Sequence, residues 1–427
     1  MSVRTSTHNF PANVFKLDNG LTIIHQYISA TPAVVIDVWV RAGAREEPDK
    51  WSGMAHFLEH MIFKGTEKLG PGIFDRIIEN RGGVANAATS HDYAHFFITT
   101  AAQYVEEVVH PLAELLLRAS IPESEFARER EVVLEEIRQS EDCVDSVGFQ
   151  ALMENVYKYH PYRRSVMGTA ELLIEREVDE MRCFHNHHYQ PENMAVVVIG
   201  RVEQTQVIGL VSAAFANFAE KCSHCPRVEI VAEPLITEVR RQEIYLPRLE
   251  QGRLTMAWIG PGVEQLDDAY GLDLLSILLA DGRSSRLVRE LREDLGLVQG
   301  IVSSFSLQQD SSLFTISAML EPKDIPEVEA RIGDRLYELL TQEISEAELA
   351  RSKRLLCNDY VFSIESPGQL AGLYGYYFII ANPELAIRYP QKIAAFQPKE
   401  LLNLAEKYLS PNRYAVTALI PTYTNFI

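Results

Sequence analysis

Three things are scarce in this sequence, and each scarcity excludes a class of protein. Cysteine occurs five times in 427 residues, an odd and scattered count that makes no disulfide framework and fits a reducing compartment. Long apolar runs are missing: those from Ala33 to Val40 and from Ala195 to Ile199 fall far short of the ~20 residues a membrane helix needs, and they read as buried strands. Positive charge is in deficit, with 40 Lys and Arg against 59 Asp and Glu for a net −19. No dense Lys/Arg block occurs, which argues against a nucleic-acid partner. Met1 to Phe10 holds one Arg and no apolar block, too little for a secretory signal or transit peptide, so a cytoplasmic chain without a membrane partner is expected. What remains, 47% hydrophobic and 23% charged residues, suits two folded domains of about 200 residues. Surface acid usually serves solubility, but lining a cavity it would draw in basic peptides.

Strand and helix signals alternate along the chain. Asn19-Gly20 between two apolar runs predicts an opening hairpin. The strand from Ala33 to Val40 ends at Gly43, and a helical apolar period runs from Gly53 to Phe63. Gly82-Gly83 introduces a strand from Val84 to Thr99, and amphipathic helices follow at Tyr104 to Arg118 and Glu123 to Asp142. The pattern lapses around Cys222-Ser-His-Cys-Pro226 and resumes as strands from Ile244 to Ile259. A first domain at 1–220, a linker at 221–241 and a second domain at 242–427 are expected. The second half echoes the first: Ile121-Pro-Glu-Ser-Glu-Phe-Ala-Arg128 matches Ile344-Ser-Glu-Ala-Glu-Leu-Ala-Arg351 at a separation of 223 residues. Gly296 to Met319 resembles Gly82 to Thr100 at a slightly shorter offset, and a duplicated domain is the economical explanation.

Chemistry concentrates in His56-Phe-Leu-Glu59-His60. The i, i+4 spacing stacks both imidazoles on one helical face, where two nitrogens can reach one metal. Glu59 borders that face and can take a proton from the attacking water without being a ligand. Met54, Ala55, Phe57, Leu58, Met61, Ile62 and Phe63 around them are apolar, so the helix is mostly buried and its three polar groups need a partner. A catalytic zinc requires a third protein ligand, and Glu129-Arg-Glu-Val-Val-Leu-Glu-Glu136 offers one. Residues seven apart in a helix differ by only about 20° in direction, so Glu129 and Glu136 share a face. Spacing alone does not choose between Glu135 and Glu136.

With these two motifs the chain resembles the pitrilysin-type inverzincin metallopeptidases, and among them the shorter two-domain branch that includes the processing peptidase β subunit and bacterial relatives. Glu136 follows His60 after 75 intervening residues, within the family's spacing. The resemblance implies that His56, His60 and Glu136 bind Zn2+, that Glu59 is the general base and that Glu129 supports the site. It implies an α+β fold of two homologous α/β-sandwich domains, each an antiparallel-rich sheet with helices, only the first carrying zinc. Gly82-Gly-Val-Ala-Asn86-Ala87-Ala88-Thr89 is similar to the family's substrate-pairing edge strand, where an extended peptide can add as one more strand whatever its side chains. His160-Pro161, Gly168-Thr169, His188-Tyr189-x-Pro191-x-Asn193 and Gly282-Arg-Ser-Ser-Arg-Leu287 extend the likeness over most of the chain.

One departure matters. The family's second domain supplies an Arg and, seven residues later, a Tyr to the substrate. Here the Arg position is Arg292, but the Tyr position holds Gln299. The expected enzyme is therefore a zinc endopeptidase cutting unfolded peptides in a closed chamber, paired with a homologous Arg/Tyr-bearing subunit or, alternatively, with itself as a homodimer. The competing class is a catalytically silent scaffold subunit of a larger complex, which has no reason to retain three ligands and a base. Cys222-Ser-His-Cys225 lacks a second Cys pair at metal-ligand spacing and is read as an incidental linker cluster. His185, His187 and His188 crowd one helix end and are assigned to packing and capping beside Tyr189 and Pro191.

Overall fold

The computed structural model describes residues 2–3, 10–247 and 249–422, and the apolar runs named above are its central strands. In chain order the strands are β1 (Ser2–Val3), β2 (Asn13–Lys16), β3 (Thr22–Tyr27), β4 (Ala33–Val40), β5 (Val84–Thr89), β6 (Ala94–Ala101), β7 (Met194–Gly200), β8 (Arg240–Leu246), β9 (Gly252–Pro261), β10 (Val298–Ser306), β11 (Ser311–Leu320) and β12 (Ala415–Pro421). The helices are α1 (Met54–Ile62), α2 (Ile73–Glu79), α3 (Val105–Arg118), α4 (Glu123–Asp142), α5 (Val144–Val156), α6 (Ala170–Ile174) and α7 (Val178–His188). Then come α8 (Gln204–Ala214), α9 (Leu266–Ala280), α10 (Ile325–Thr341), α11 (Glu346–Phe362), α12 (Pro367–Ile380), α13 (Tyr389–Ala395) and α14 (Pro398–Tyr408).

Two mixed sheets result, ordered β1-β2-β3-β7-β4-β6-β5 and β10-β11-β9-β12-β8. The five strands β5-β6-β4-β7-β3 of the first match the whole of the second in order, β1 and β2 being additional. β3 runs parallel to β7 as β8 runs parallel to β12, and β5–β6 and β10–β11 are the matching antiparallel edge hairpins. This is the α+β architecture expected, with a repeat that the echoed peptides at the starts of α4 and α11 had marked. The stretch Val84–Thr99 is a hairpin rather than one strand, turning where Ser90 N donates to Tyr93 O at 2.8 Å. Its turn, Ser90-His91-Asp92-Tyr93, contains neither Gly nor Pro, so the usual punctuation was missing.

The chain forms two compact units that interleave in sequence. The first gathers the chain up to Gln139 with Arg164–Glu229 and Phe362–Ile387; the second gathers Ser140–Arg163, Ile230–Val361 and the chain from Arg388. The contiguous spans 1–220 and 242–427 thus each give one helix to the other unit. The reason is that a mixed sheet buried on both faces needs a helix layer on each. In the first unit the main core lies between the sheet and α1, α3, α4 and α8, and α12 lies across β4 and β7. Arg41 Nε donates to Ile379 O at 3.1 Å, Tyr374 OH donates to Gln26 Oε1 at 2.8 Å, and the Arg41 guanidinium stacks 4.2 Å from the Phe378 ring centre. In the second unit α5 plays the same part, Asn155 Nδ2 donating to Arg240 O at 3.0 Å and Val416 O at 3.2 Å.

Gly375 makes the α12 packing possible, because a Cβ there would stand 2.1 Å from Trp39 Nε1. Gly375→Ala is expected to cost about 1–3 kcal/mol through overpacking, read as a lowered thermal midpoint; an unchanged midpoint would show that α12 yields without cost. Two further observations bear on sequence expectations. Cys183 on α7 is joined to Cys222 by a disulfide, with Cα atoms 5.4 Å apart, where the cysteine count led to none. Among the described residues no helix is long and apolar enough to cross a membrane.

Candidate metal centre

The site is built on α1, whose apolar side chains Met54, Ala55, Phe57, Leu58, Met61 and Ile62 are all buried. They anchor the helix on three sides and leave only the His56, Glu59 and His60 face open. The helix starts at Gly53, whose φ of 90° and whose approach to Met167 O, 2.4 Å from a would-be Cβ, only glycine satisfies. No acidic residue sits in its first turn. Glu47 supplies the missing acceptor from outside, receiving the Gly53 N–H at 2.9 Å and the Ala55 N–H at 2.7 Å. Burial pushes the Glu47 carboxyl up to about 8, against the pull of those N–H groups and of Arg164 and Arg176. Glu47→Gln turns an amide NH2 toward one of these donors and is expected to cost about 1–3 kcal/mol; equal denaturation midpoints for both proteins would refute the capping role.

α4 brings the carboxylates. Glu136 Oε2 lies 3.4 Å from His60 Nε2 and 3.8 Å from His56 Nε2, and one donor atom from each of the three residues lies within 4.8 Å of the others. Donors about 2.0–2.1 Å from a tetrahedral zinc stand roughly 3.3 Å apart, so the spacing suits that ion with little adjustment. The donor chemistry suits it as well, two imidazole nitrogens and one carboxylate oxygen. Glu135, the alternative the spacing left open, turns outward and pairs with Arg138 at 3.0 Å. Burial, and secondarily the neighbouring His60, holds His56 down to about 4, which keeps its ring neutral with a lone pair to offer near neutral pH. The Glu136 side chain is 37% exposed, so the carboxylate side of the trio is open to solvent.

Supporting contacts orient these groups. His60 Nδ1–H donates to Glu129 Oε1 at 3.0 Å, which turns Nε2 toward Glu136. Glu129 in turn pairs with Lys64 Nζ at 2.7 Å. Lys64 was overlooked in the sequence, although it stands four residues after His60, just past the end of α1. Thr89, at the end of β5, was also unassigned; its Oγ1 donates to Glu59 Oε2 at 2.6 Å. Burial raises the Glu59 carboxyl above its ordinary range, opposed by Thr89 and His60. Because Glu129 holds the His60 ring by its Nδ1 side, Glu129→Gln is expected to weaken metal affinity about 10–100-fold in a competing-chelator titration, and equal affinities would remove it from the support of the site.

Asn86, Ala87 and Ala88 lie on β5, the edge strand of the first sheet, facing Phe97, Phe96 and His95 of β6. The Ala87 N–H is held by Asn86 Oδ1 at 2.9 Å. Arg292 and Gln299 belong to the second unit. There Arg292 donates through Nε and Nη2 to Glu293 Oε1 at 2.9 and 2.6 Å, and Gln299 is exposed near the start of β10.

With that geometry in view, comparisons with known proteins carry weight. Residues 22–170 match the family model described as insulinase, peptidase family M16, and residues 177–356 match the peptidase M16 inactive domain. The zinc protease PqqE of Helicobacter pylori is 28% identical over 415 residues, 95% of this chain and 92% of that one. The uncharacterized zinc protease YmxG of Bacillus subtilis is 28% identical over 354 residues, 82% of this chain and 84% of that one. A crystal structure of a protease from Helicobacter pylori superposes with a TM-score of 0.89 at 28% identity, covering 96% of this chain and 99% of that chain. Pitrilysin shares the fold at a TM-score of 0.81 and 19% identity, 99% of this chain spanning 46% of it.

Proposed function

The chain belongs to peptidase family M16 and is a zinc protease, and from that premise we propose that His56, His60 and Glu136 hold its zinc while Glu59 serves as the general base. The observation that carries this reading is the convergence of one ligand atom each from His56, His60 and Glu136 within 4.8 Å, beside Glu59, an acidic group on the helix of the two histidines that stands outside that trio. Zinc held there would polarise the scissile carbonyl and bring the pKa of the attacking water toward ~7. Glu59 accepts the proton of that water and returns it to the amine nitrogen as the C–N bond breaks. Thr89 keeps the Glu59 carboxylate aimed during the transfer, and Glu129 keeps His60 in the tautomer that leaves Nε2 free.

The substrate is an extended, unfolded peptide added to β5 at Asn86, Ala87 and Ala88. Backbone pairing at a sheet edge is indifferent to side chains, which supports broad selectivity for internal bonds. A closed chamber would admit only chains that have lost their fold. Gln299, standing where a phenol would steady the transition-state oxygen, and the pairing of Arg292 with Glu293 support a homologous Arg/Tyr-bearing partner, with a homodimer as the simpler alternative. The test is mass-spectrometric mapping of cuts in a mixture of unstructured peptides, with the chain alone and with any subunit that co-purifies. Internal cuts in disordered peptides, enhanced by the partner, are expected. Release of single terminal residues, or equal attack on folded proteins, would overturn the reading.

A further inference from the structure

Away from α1 and α4, the first unit gathers a second set of metal-ligating side chains. Cys183 and His187 are four residues apart on α7, hence on one face of it. Against that face lies Cys222-Ser-His-Cys225, at the start of a stretch with no helix or strand from Asn217 to Val239. Cys183, Cys222 and His224 have ligand atoms within 4.8 Å of one another, and so do His187, His188 and Cys225. One hydrogen bond ties the two groups: His187 Nδ1–H donates to Cys222 O at 2.8 Å. That is how a ligating histidine is usually held, one ring nitrogen fixed on a carbonyl and Nε2 left free for a metal. Cys183 and Cys225 are buried, and both belong to the hydrophobic core of the unit. The second pair of ligands, which Cys222 and Cys225 seemed to lack, is therefore supplied by the helix, 35 residues earlier than the loop if counted from His187 to Cys222.

We propose that, with the Cys183–Cys222 bond reduced, Cys183, His187, Cys222 and Cys225 hold one structural zinc ion in the first unit. The spacing is Cys-x3-His on a helix and Cys-x2-Cys on a loop, four N and S donors with no open position, which is the composition of a structural rather than a catalytic zinc site. His188 and His224 flank it without being needed. His188 packs its ring 4.4 Å from that of Phe184, and His224 is exposed. The disulfide and the metal are alternatives, because both use the sulfurs of Cys183 and Cys222. A thiol reductant supplies two electrons and two protons to break the S–S bond, and zinc then displaces the protons of three thiols. What the ion does is pin an irregular segment of more than 20 residues to α7, a length at which loops in compact domains seldom hold one course unaided.

The experiment uses the full chain purified under reductant with zinc present, alongside the Glu136→Gln variant. The expected result is about two zinc ions per chain for the wild type and about one for Glu136→Gln. A mercurial that titrates thiols should release one of the two. Replacing zinc with cobalt should give thiolate-to-metal charge-transfer absorption in both proteins, and Cys222→Ser/Cys225→Ser should abolish it. The catalytic trio contains no sulfur, so this signal reads the new site alone. One zinc per wild-type chain with no cobalt–sulfur absorption would overturn the proposal, as would three free thiols persisting under the same reductant. Neither result would touch the reading of His56, His60 and Glu136.

Discussion

Replacing Glu59 with glutamine is expected to lower the rate of peptide hydrolysis by about 10²–10⁴-fold and to leave the zinc content at the wild-type value. Glutamine keeps the shape and can still receive the Thr89 hydroxyl, which now lies 2.6 Å from Glu59 Oε2, but it cannot take a proton. Since α1 is anchored by six buried apolar residues on its other faces, the fold should not register the change. The paired readout matters. Lost activity with retained metal identifies proton transfer as the missing step, whereas lost metal would make Glu59 a ligand and its assignment as base wrong. Activity within a few fold of wild type would mean that another group carries the proton.

Glu136→Gln should produce the complementary pattern, loss of about one zinc equivalent together with hydrolysis near background. Glu136 Oε2 lies 3.4 Å from His60 Nε2 and 3.8 Å from His56 Nε2, so it is the group that closes the trio on the α4 side. An amide oxygen is a far weaker zinc donor than a carboxylate, and removing one of three protein ligands leaves two imidazoles on a single helix. Restoring activity with excess zinc would show weakened binding only; full zinc occupancy with normal activity would exclude Glu136 from the site. Glu135→Gln is the control, since that side chain points outward to Arg138 and should change neither readout.

Much of this geometry is carried by local arithmetic, which is why sequence alone reaches it. An i, i+4 pair on an apolar helix has one open face, and β4 and α4 begin and end where their apolar periods do. Spacing alone left Glu135 and Glu136 open, because composition treats two adjacent glutamates alike although a hundred degrees of helix rotation separates them; the family resemblance pointed to Glu136, and it is Glu136 whose Oε2 lies 3.4 Å from His60 Nε2. The interleaving of the units was not legible for a related reason. α12 is apolar on nearly every side, with Leu370, Ala371, Tyr374, Tyr377 and Phe378 buried, and such a helix announces burial without naming the sheet that buries it. The Cys183–Cys222 contact spans 39 residues and depends on where an irregular segment lands, which no periodicity encodes. Thr89 illustrates the middle case: its place in an edge strand was readable, its bond to Glu59 was not, because that bond exists only once β5 and α1 pack together.

The most direct measurement is anomalous diffraction collected on either side of the zinc absorption edge from crystals of the full chain. The account predicts a peak bonded to His56 Nε2, His60 Nε2 and a Glu136 carboxylate oxygen at about 2.0–2.2 Å, with Glu59 close by but outside bonding distance. A fully loaded, active preparation whose anomalous density avoids those three side chains would contradict it.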